Sequence, residues 1–109
     1  MPSTTVQRGN VATTILVQTT LTPASVPTVT AAEQTFNVPG LFANDQISAV
    51  SLQAPWTSLT SIVSFRAISL NTLGISFLNG TAGALVPPAG VYFIEINRAE
   101  FLPLPANAI

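Results

Sequence analysis

Residues 61–78, which read SIVSFRAISLNTLGISFL, decide the fold of this chain of 109 residues. Apolar and polar side chains alternate with a period of two on both sides of Asn71-Thr72. One alternating set consists of Val63, Phe65, Ala67, Leu73, Ile75 and Phe77. Because successive side chains of a β-strand point to opposite faces, this period predicts an antiparallel hairpin with one buried face.

Four further segments outside the hairpin are predicted to be strands, at residues 12–21, 28–38, 47–52 and 91–98. Tyr92, Ile94 and Ile96 share one face of the last segment, and Ile47 and Ala49 share one face of the third. No amphipathic run is long enough for the crossover helix that parallel strands need. The sequence therefore predicts an all-β fold, an antiparallel β-sandwich of jelly-roll-like form.

Turn residues separate these segments. Pro39-Gly40 suits the two central positions of a type II turn, and Asn44-Asp45 marks a second turn whose side chains can bind nearby backbone amides. Residues 79–81 read Asn-Gly-Thr and match the glycosylation sequon. We interpret them as a turn, because the chain shows no secretory signal.

The two ends differ from the middle of the chain. Residues 1–11 carry no apolar repeat and are expected to form an N-terminal arm, followed by a β-sandwich domain over residues 12–100. Residues 101–109 are expected to form an extended C-terminal tail, because Pro103 and Pro105 interrupt its apolar sequence. The polar start lacks the continuous apolar region of a secretory signal, so we expect synthesis in the cytoplasm.

The composition excludes most catalytic chemistry. Charged residues make up only 6% of the chain, and Lys, His and Cys are absent. Without them the chain lacks the usual nucleophile systems, Schiff-base chemistry, the common zinc sites and disulfides. The four carboxylates are scattered over separate segments and indicate neither a glycosidase pair nor a calcium loop. We therefore expect no enzyme activity, no cofactor and no metal.

The charge of the chain also argues against binding to nucleic acids or to membranes. Three scattered arginines and a net charge of -1 cannot neutralise a run of phosphates or hold an anionic membrane surface. No stretch approaches the roughly 18 uninterrupted apolar residues of a transmembrane helix.

Low charge instead favours assembly. Natural proteins protect exposed sheet edges with charges, especially lysine, and this chain has no lysine. Apolar residues make up 48% of the sequence, and large obligate interfaces are where such residues accumulate. We therefore expect an oligomer whose sheet edges are covered by other subunits. The candidate contact residues are Val6, Arg8, Trp56, Arg66, Phe101, Leu102 and Leu104.

Two of these candidates have an alternative structural interpretation. Arg66 either reaches across a subunit interface or lies on a polar face and balances a neighbouring carboxylate. Trp56 either anchors an interface or closes the end of the sandwich. Tyr92 is expected to pack in the core with its hydroxyl at the rim.

Two stretches carry a resemblance to a known family. Residues 32–41 read AEQTFNVPGL, and residues 66–79 read RAISLNTLGISFLN. Together with the loop at residues 81–87 and the strand at residues 92–98, they resemble a small β-protein family from tailed bacteriophages. The resemblance covers roughly residues 30 to 98 and leaves both ends outside it.

This resemblance implies a capsid cement or decoration protein on the virion surface. Proteins of this family are usually trimers that bind across neighbouring subunits of the major capsid protein, so the expected partners are that protein and two further copies of the chain. The alternative is a β-sandwich binding module of a phage head fibre or tail that recognises host-surface carbohydrate. For that function Trp56 and Tyr92 are the obvious aromatic residues.

Overall fold

The structure, a computed structural model, describes residues 11–99 and contains six strands and no helix in that part of the chain. The strands are β1 (Val11–Leu21), β2 (Thr30–Asn37), β3 (Gln46–Leu52), β4 (Thr60–Ser69), β5 (Thr72–Asn79) and β6 (Gly90–Ala99). The all-β prediction is confirmed, and every predicted strand is present with bounds shifted by at most two residues. The arm at residues 1–11, apart from Val11, and the tail at residues 101–109 lie outside the described residues.

The strands form two antiparallel three-stranded sheets. The first sheet has the order β1-β6-β3, and the second has the order β2-β5-β4. One apolar core lies between them and draws on both, so the architecture is sandwich-like. Each sheet therefore has one central strand, β6 or β5, and two edge strands.

The central strands supply most of the core. Leu73, Ile75 and Phe77 of β5 are fully buried, as are Tyr92 and Ile94 of β6. Both sets fall on the faces that the period of two predicts. The Tyr92 hydroxyl donates a hydrogen bond to the carbonyl of Pro88 (2.6 Å), so the buried phenol keeps a polar partner. The apolar residues that the edge strands turn inward are mostly only half-buried.

Two β-bulges change the predicted faces of the edge strands. The register of β4 shifts between Ile62 and Ser64, and Val63 is exposed rather than buried with Phe65. The register of β3 shifts after Ile47, so that Val50 packs against the core while Ala49 is exposed. The predictions for Val63 and Ala49 were wrong because a bulge adds one residue to a strand and reverses the alternation beyond it.

The predicted type II turn is confirmed. The Leu41 N–H donates to the carbonyl of Val38 (3.2 Å), and Gly40 has a φ of 92°. A positive φ at this position of the turn is what requires glycine.

The two ends of the sandwich are built differently. Leu21 pairs with Gly90, and Asn79 pairs with both Thr30 and Thr60, so the loops 22–29, 53–59 and 80–89 all lie at one end. We call these three loops the loop end. Val11 pairs with Ala99 at the opposite end, where the segments outside the described residues are attached.

Candidate assembly surfaces

The charged side chains of the described residues are engaged with one another or with the fold. Two ion pairs, Asp45–Arg98 and Glu33–Arg66, account for four of them. The fifth, Glu95, accepts a hydrogen bond from the hydroxyl of Ser48 (2.6 Å). Among residues 11–99 there is no group of three or more metal-binding side chains. The candidate functional features described below are surfaces.

The Asp45–Arg98 pair ties the end of β6 to the loop before β3. Arg98 donates through Nε (3.0 Å) and Nη2 (2.8 Å) to the two carboxylate oxygens of Asp45, and Nη2 also donates to the carbonyl of Gly40 (2.8 Å). The Phe42 N–H donates to the same carboxylate, and the guanidinium lies 3.8 Å from the centre of the Phe42 ring. The Arg98 hydrogen bonds and that of the Phe42 N–H hold the pKa of Asp45 below its usual value.

Arg66 pairs with Glu33 across the outer face of the second sheet. Its Nε and Nη2 donate to the two carboxylate oxygens of Glu33, at 2.8 and 2.9 Å. The two residues belong to the edge strands β4 and β2, and Gly74 of the central strand lies between them. A Cβ at Gly74 would be 2.7 Å from a Glu33 carboxylate oxygen. The absence of a side chain at Gly74 therefore leaves room for the Glu33–Arg66 ion pair above the central strand. The geometry is that of the alternative in which Arg66 balances a neighbouring carboxylate.

The loop end carries no charged residue. The loops 22–29, 53–59 and 80–89 contain no Asp, Glu, Lys or Arg. Each loop exposes one large aliphatic side chain: Val29 is 76% exposed, Leu59 is 78% exposed and Val86 is 55% exposed. An uncharged surface with several exposed aliphatic groups is typical of a protein-binding surface.

Val29 is held in a strained conformation. Its φ is 48°, in the left-handed region, which is a genuine outlier for a β-branched residue. The hydroxyl of Thr28 donates to the carbonyl of Thr81, and the hydroxyl of Thr30 donates to the carbonyl of Thr28. These bonds on both sides of Val29 hold the turn. Strain that neighbouring bonds maintain is found preferentially at functional positions.

The buried side chain of Asn79 connects two of the three loops of the loop end. Its side-chain amide is fully buried and donates to the carbonyls of Val26 (3.0 Å) and Gly83 (2.8 Å). Its carbonyl oxygen accepts the N–H and the hydroxyl of Thr81. Val26 also exchanges two backbone hydrogen bonds with Leu85. The amide of the sequon is thus a structural element that joins loop 22–29 to loop 80–89.

Trp56 lies half-buried in loop 53–59. Its ring packs against the core, and its indole N–H donates to the carbonyl of Thr60. It borders a groove of about 250 Å³ between β3 and β4, which is also lined by Val50, Ser51, Leu52, Thr60, Ser61 and Ile62. Tyr92, the other aromatic residue named for carbohydrate recognition, is fully buried and offers no exposed ring.

Three of the four edge strands carry a protective feature along their length, whereas the register of the fourth, β1, shifts only at its start, between Val11 and Thr13. The edges β3 and β4 are bulged. The edge β2 carries Glu33, and the side chain of its Gln34 makes two hydrogen bonds with the backbone of Ala24, at 2.7 and 2.8 Å, so that loop 22–29 lies against it. Bulges, charges and covering loops all discourage pairing with a further strand.

Two of the sequence-predicted contact residues, Trp56 and Arg66, lie in the described part of the chain, and they belong to different surfaces. Trp56 belongs to the loop end, whereas Arg66 lies on the outer face of the second sheet at the level of Gly74. Val6, Arg8, Phe101, Leu102 and Leu104 lie outside the described residues. Sequence reasoning missed Val29 and interpreted Asn79 only as a turn residue, although the absence of charge from all three loops was a visible signal.

Comparisons with known proteins return no family model, no curated protein and no solved structure that matches the chain. Among the described residues there is also no helix long and apolar enough to cross a membrane.

Proposed function

We propose that this protein is a structural component of a bacteriophage particle that cements or decorates the capsid by binding across subunits of the major capsid protein. It acts as a homotrimer on the virion surface, is made in the host cytoplasm and catalyses no reaction. The sequence resemblance over roughly residues 30 to 98 supports this class of protein. The observation that carries the mode of binding is the uncharged loop end with its three exposed aliphatic side chains.

We further propose that the fold is a six-stranded jelly roll with extended arms at residues 1–11 and 101–109. The strand orders β1-β6-β3 and β2-β5-β4 support this, because every connection except the β4–β5 hairpin crosses from one sheet to the other. Jelly rolls, usually of eight strands, are common among viral capsid domains. Because both arms are attached opposite the loop end, the arms and the loops can contact different neighbours.

In this proposal the loop end docks on the capsid protein by apolar contact. Burial of aliphatic groups is insensitive to ionic screening, whereas exposed ion pairs weaken as salt rises. Attachment to the shell should therefore persist between about 0.1 and 1 M salt. The strained turn at Val29 presents an aliphatic group that a relaxed turn would not present at the same place.

Val29→Asn is expected to stabilise the isolated protein by about 1 kcal/mol, because asparagine tolerates the left-handed conformation that valine resists. The same change should weaken binding to capsid shells about tenfold, because it removes an exposed aliphatic group from the docking surface. Denaturant unfolding measures the first effect. Titration of purified protein onto shells that lack it measures the second.

Val63→Asn is the matched control, because Val63 is also an exposed valine but lies within β4, outside the three loops of the loop end. We expect it to leave shell binding unchanged. Equal affinity of the Val29→Asn variant and the unaltered protein would contradict docking through the loop end. Failure of the unaltered protein to bind shells at any salt concentration would contradict the proposed function itself.

A further inference from the structure

The outer edge of β1 is unlike the other three edges of the described sandwich. β1 spans 11 residues, and from Thr13 to Leu21 it pairs with β6 in an unbroken register. It contains no charged residue, no proline and no glycine. Every second residue of an edge strand directs its N–H and C=O groups away from its neighbour, so β1 presents a long, regular row of backbone groups to a further strand.

The side chains of β1 add an apolar component to this edge. Ile15 and Val17 face the core but are only half-buried. Leu16, on the outer face, is 70% exposed. A strand placed beside β1 would therefore cover aliphatic surface on both faces as well as backbone groups.

We propose that β1 pairs with β1 of a second copy of this chain. The two strands run antiparallel about a two-fold axis and join two first sheets into one sheet of six strands. The absence of charge argues for a second copy, since a two-fold axis brings each residue close to the equivalent residue of its partner. Self-pairing of β2 or β4 would bring Glu33 or Arg66 close to its own like charge, whereas β1 meets no such repulsion.

The side-chain pattern of β1 is compatible with that axis. A two-fold axis perpendicular to the sheet keeps the inner faces of both strands on the same side of the sheet. Residues that lie opposite each other are therefore both odd-numbered or both even-numbered, and each face of one strand meets the same face of the other. An axis at Val17 places Ile15 opposite Thr19 on the inner face and Leu16 opposite Gln18 on the outer face. The half-buried side chains of the two copies then form one continuous apolar surface.

This pairing goes beyond the homotrimer and the capsid contact of the proposed function, because a two-fold axis joins copies in pairs. In a particle it links one trimer to its neighbour. It concerns a different surface from the loop end, so each proposal can fail while the other holds.

Single cysteines test the pairing directly, because the natural chain contains no cysteine. Thr14, Leu16, Gln18 and Thr20 occupy exposed positions of β1 and can each be replaced by cysteine in the purified protein. We expect oxidation to give disulfide-linked dimers most efficiently at the position or the two positions nearest the axis, Leu16 and Gln18 for an axis at Val17, with a decline away from them. Thr35→Cys, at an exposed position of the protected edge β2, is the control and should stay largely unlinked.

A lysine pair gives an independent readout. The double change Leu16→Lys and Gln18→Lys brings like charges together across the axis, and we expect it to lower the particle mass measured by light scattering to that of the unpaired unit while cooperative unfolding is kept. The mass falls whether the remaining unit is a trimer or a monomer, so the result does not depend on the proposed subunit number. Thr35→Lys should leave the mass unchanged. Uniform cross-linking along β1, or a mass that the lysine pair does not alter, would overturn the proposal.

Discussion

Replacing Arg98 by methionine is expected to lower the free energy of unfolding by about 2–4 kcal/mol, because the change leaves a buried carboxylate without its counter-ion. The side chain of Asp45 is only 2% exposed, and after the change it keeps a single hydrogen bond, from the N–H of Phe42. Methionine preserves much of the aliphatic stem of arginine, so the decrease in the free energy of unfolding measures the contribution of the guanidinium group. Equilibrium unfolding in urea at neutral pH measures it.

The exposed ion pair of the same protein is the control. Arg66→Met should cause a much smaller loss, because Arg66 is largely in water and surface ion pairs contribute little to stability. Equal losses for the two variants would show that the Asp45–Arg98 pair is not a buried interaction.

The pH dependence follows from the same geometry. Because the pKa of Asp45 is lower in the folded chain than in the unfolded chain, its carboxylate stabilises the fold above the unfolded value of about 3.9. That contribution is lost as the pH falls through the lower, folded value. Arg98→Met removes the main cause of the depression, so the part of the acid-induced loss that Asp45 causes should be smaller in the variant than in the unaltered protein.

Asn79→Ala is expected to lower the free energy of unfolding by about 2–3 kcal/mol, because it removes four hydrogen bonds of a fully buried side chain and leaves a cavity in its place. The amide of Asn79 satisfies the carbonyls of Val26 and Gly83 and the N–H of Thr81. These bonds join two loops of the loop end, so binding to capsid shells should fall as well. Denaturant unfolding and shell titration measure the two losses.

Asn79→Asp separates hydrogen-bond donation from shape. The carboxylate has nearly the same size but directs an oxygen at two carbonyl oxygens, so we expect a loss at least as large as for alanine. Asn37→Ala, at an exposed position of β2, should change little. If Asn79→Asp were as stable as the unaltered protein, the assigned donor role of the amide would be wrong.

The alternation of apolar and polar residues predicted the buried face most accurately in the two central strands, β5 and β6. The alternation in residues 72–79 and 90–99 reflects burial on one face against the opposite sheet, and the predicted inward sets there are confirmed. Ile94 and Ile75 lie in strands that have a partner on both sides, which fixes their register.

Edge strands were less predictable from local pattern. Val63 and Ala49 follow the alternation of their neighbours in sequence, yet bulges in β4 and β3 reverse their faces. A bulge arises from pairing with another strand and from the twist of the sheet, and neither is encoded by side-chain alternation within a few residues.

The candidate surfaces depend on contacts between distant residues. The bond from Asn79 to Val26 spans 53 positions, and so does the pair of Asp45 with Arg98. Asn79 and Asp45 were both predicted as turn residues from their type, but their partners could not be inferred without the order of the strands. The backbone conformation of Val29 could not be predicted from the sequence either, because valine is not a residue type that favours a positive φ.

The central claim is that this protein is a stoichiometric component of a capsid shell. The most direct measurement is its copy number relative to the major capsid protein in purified particles, determined by quantitative mass spectrometry before and after a wash in about 1 M salt. We predict a fixed ratio that the wash does not change. Particles that lack the protein, or that lose it in the wash, would contradict the account.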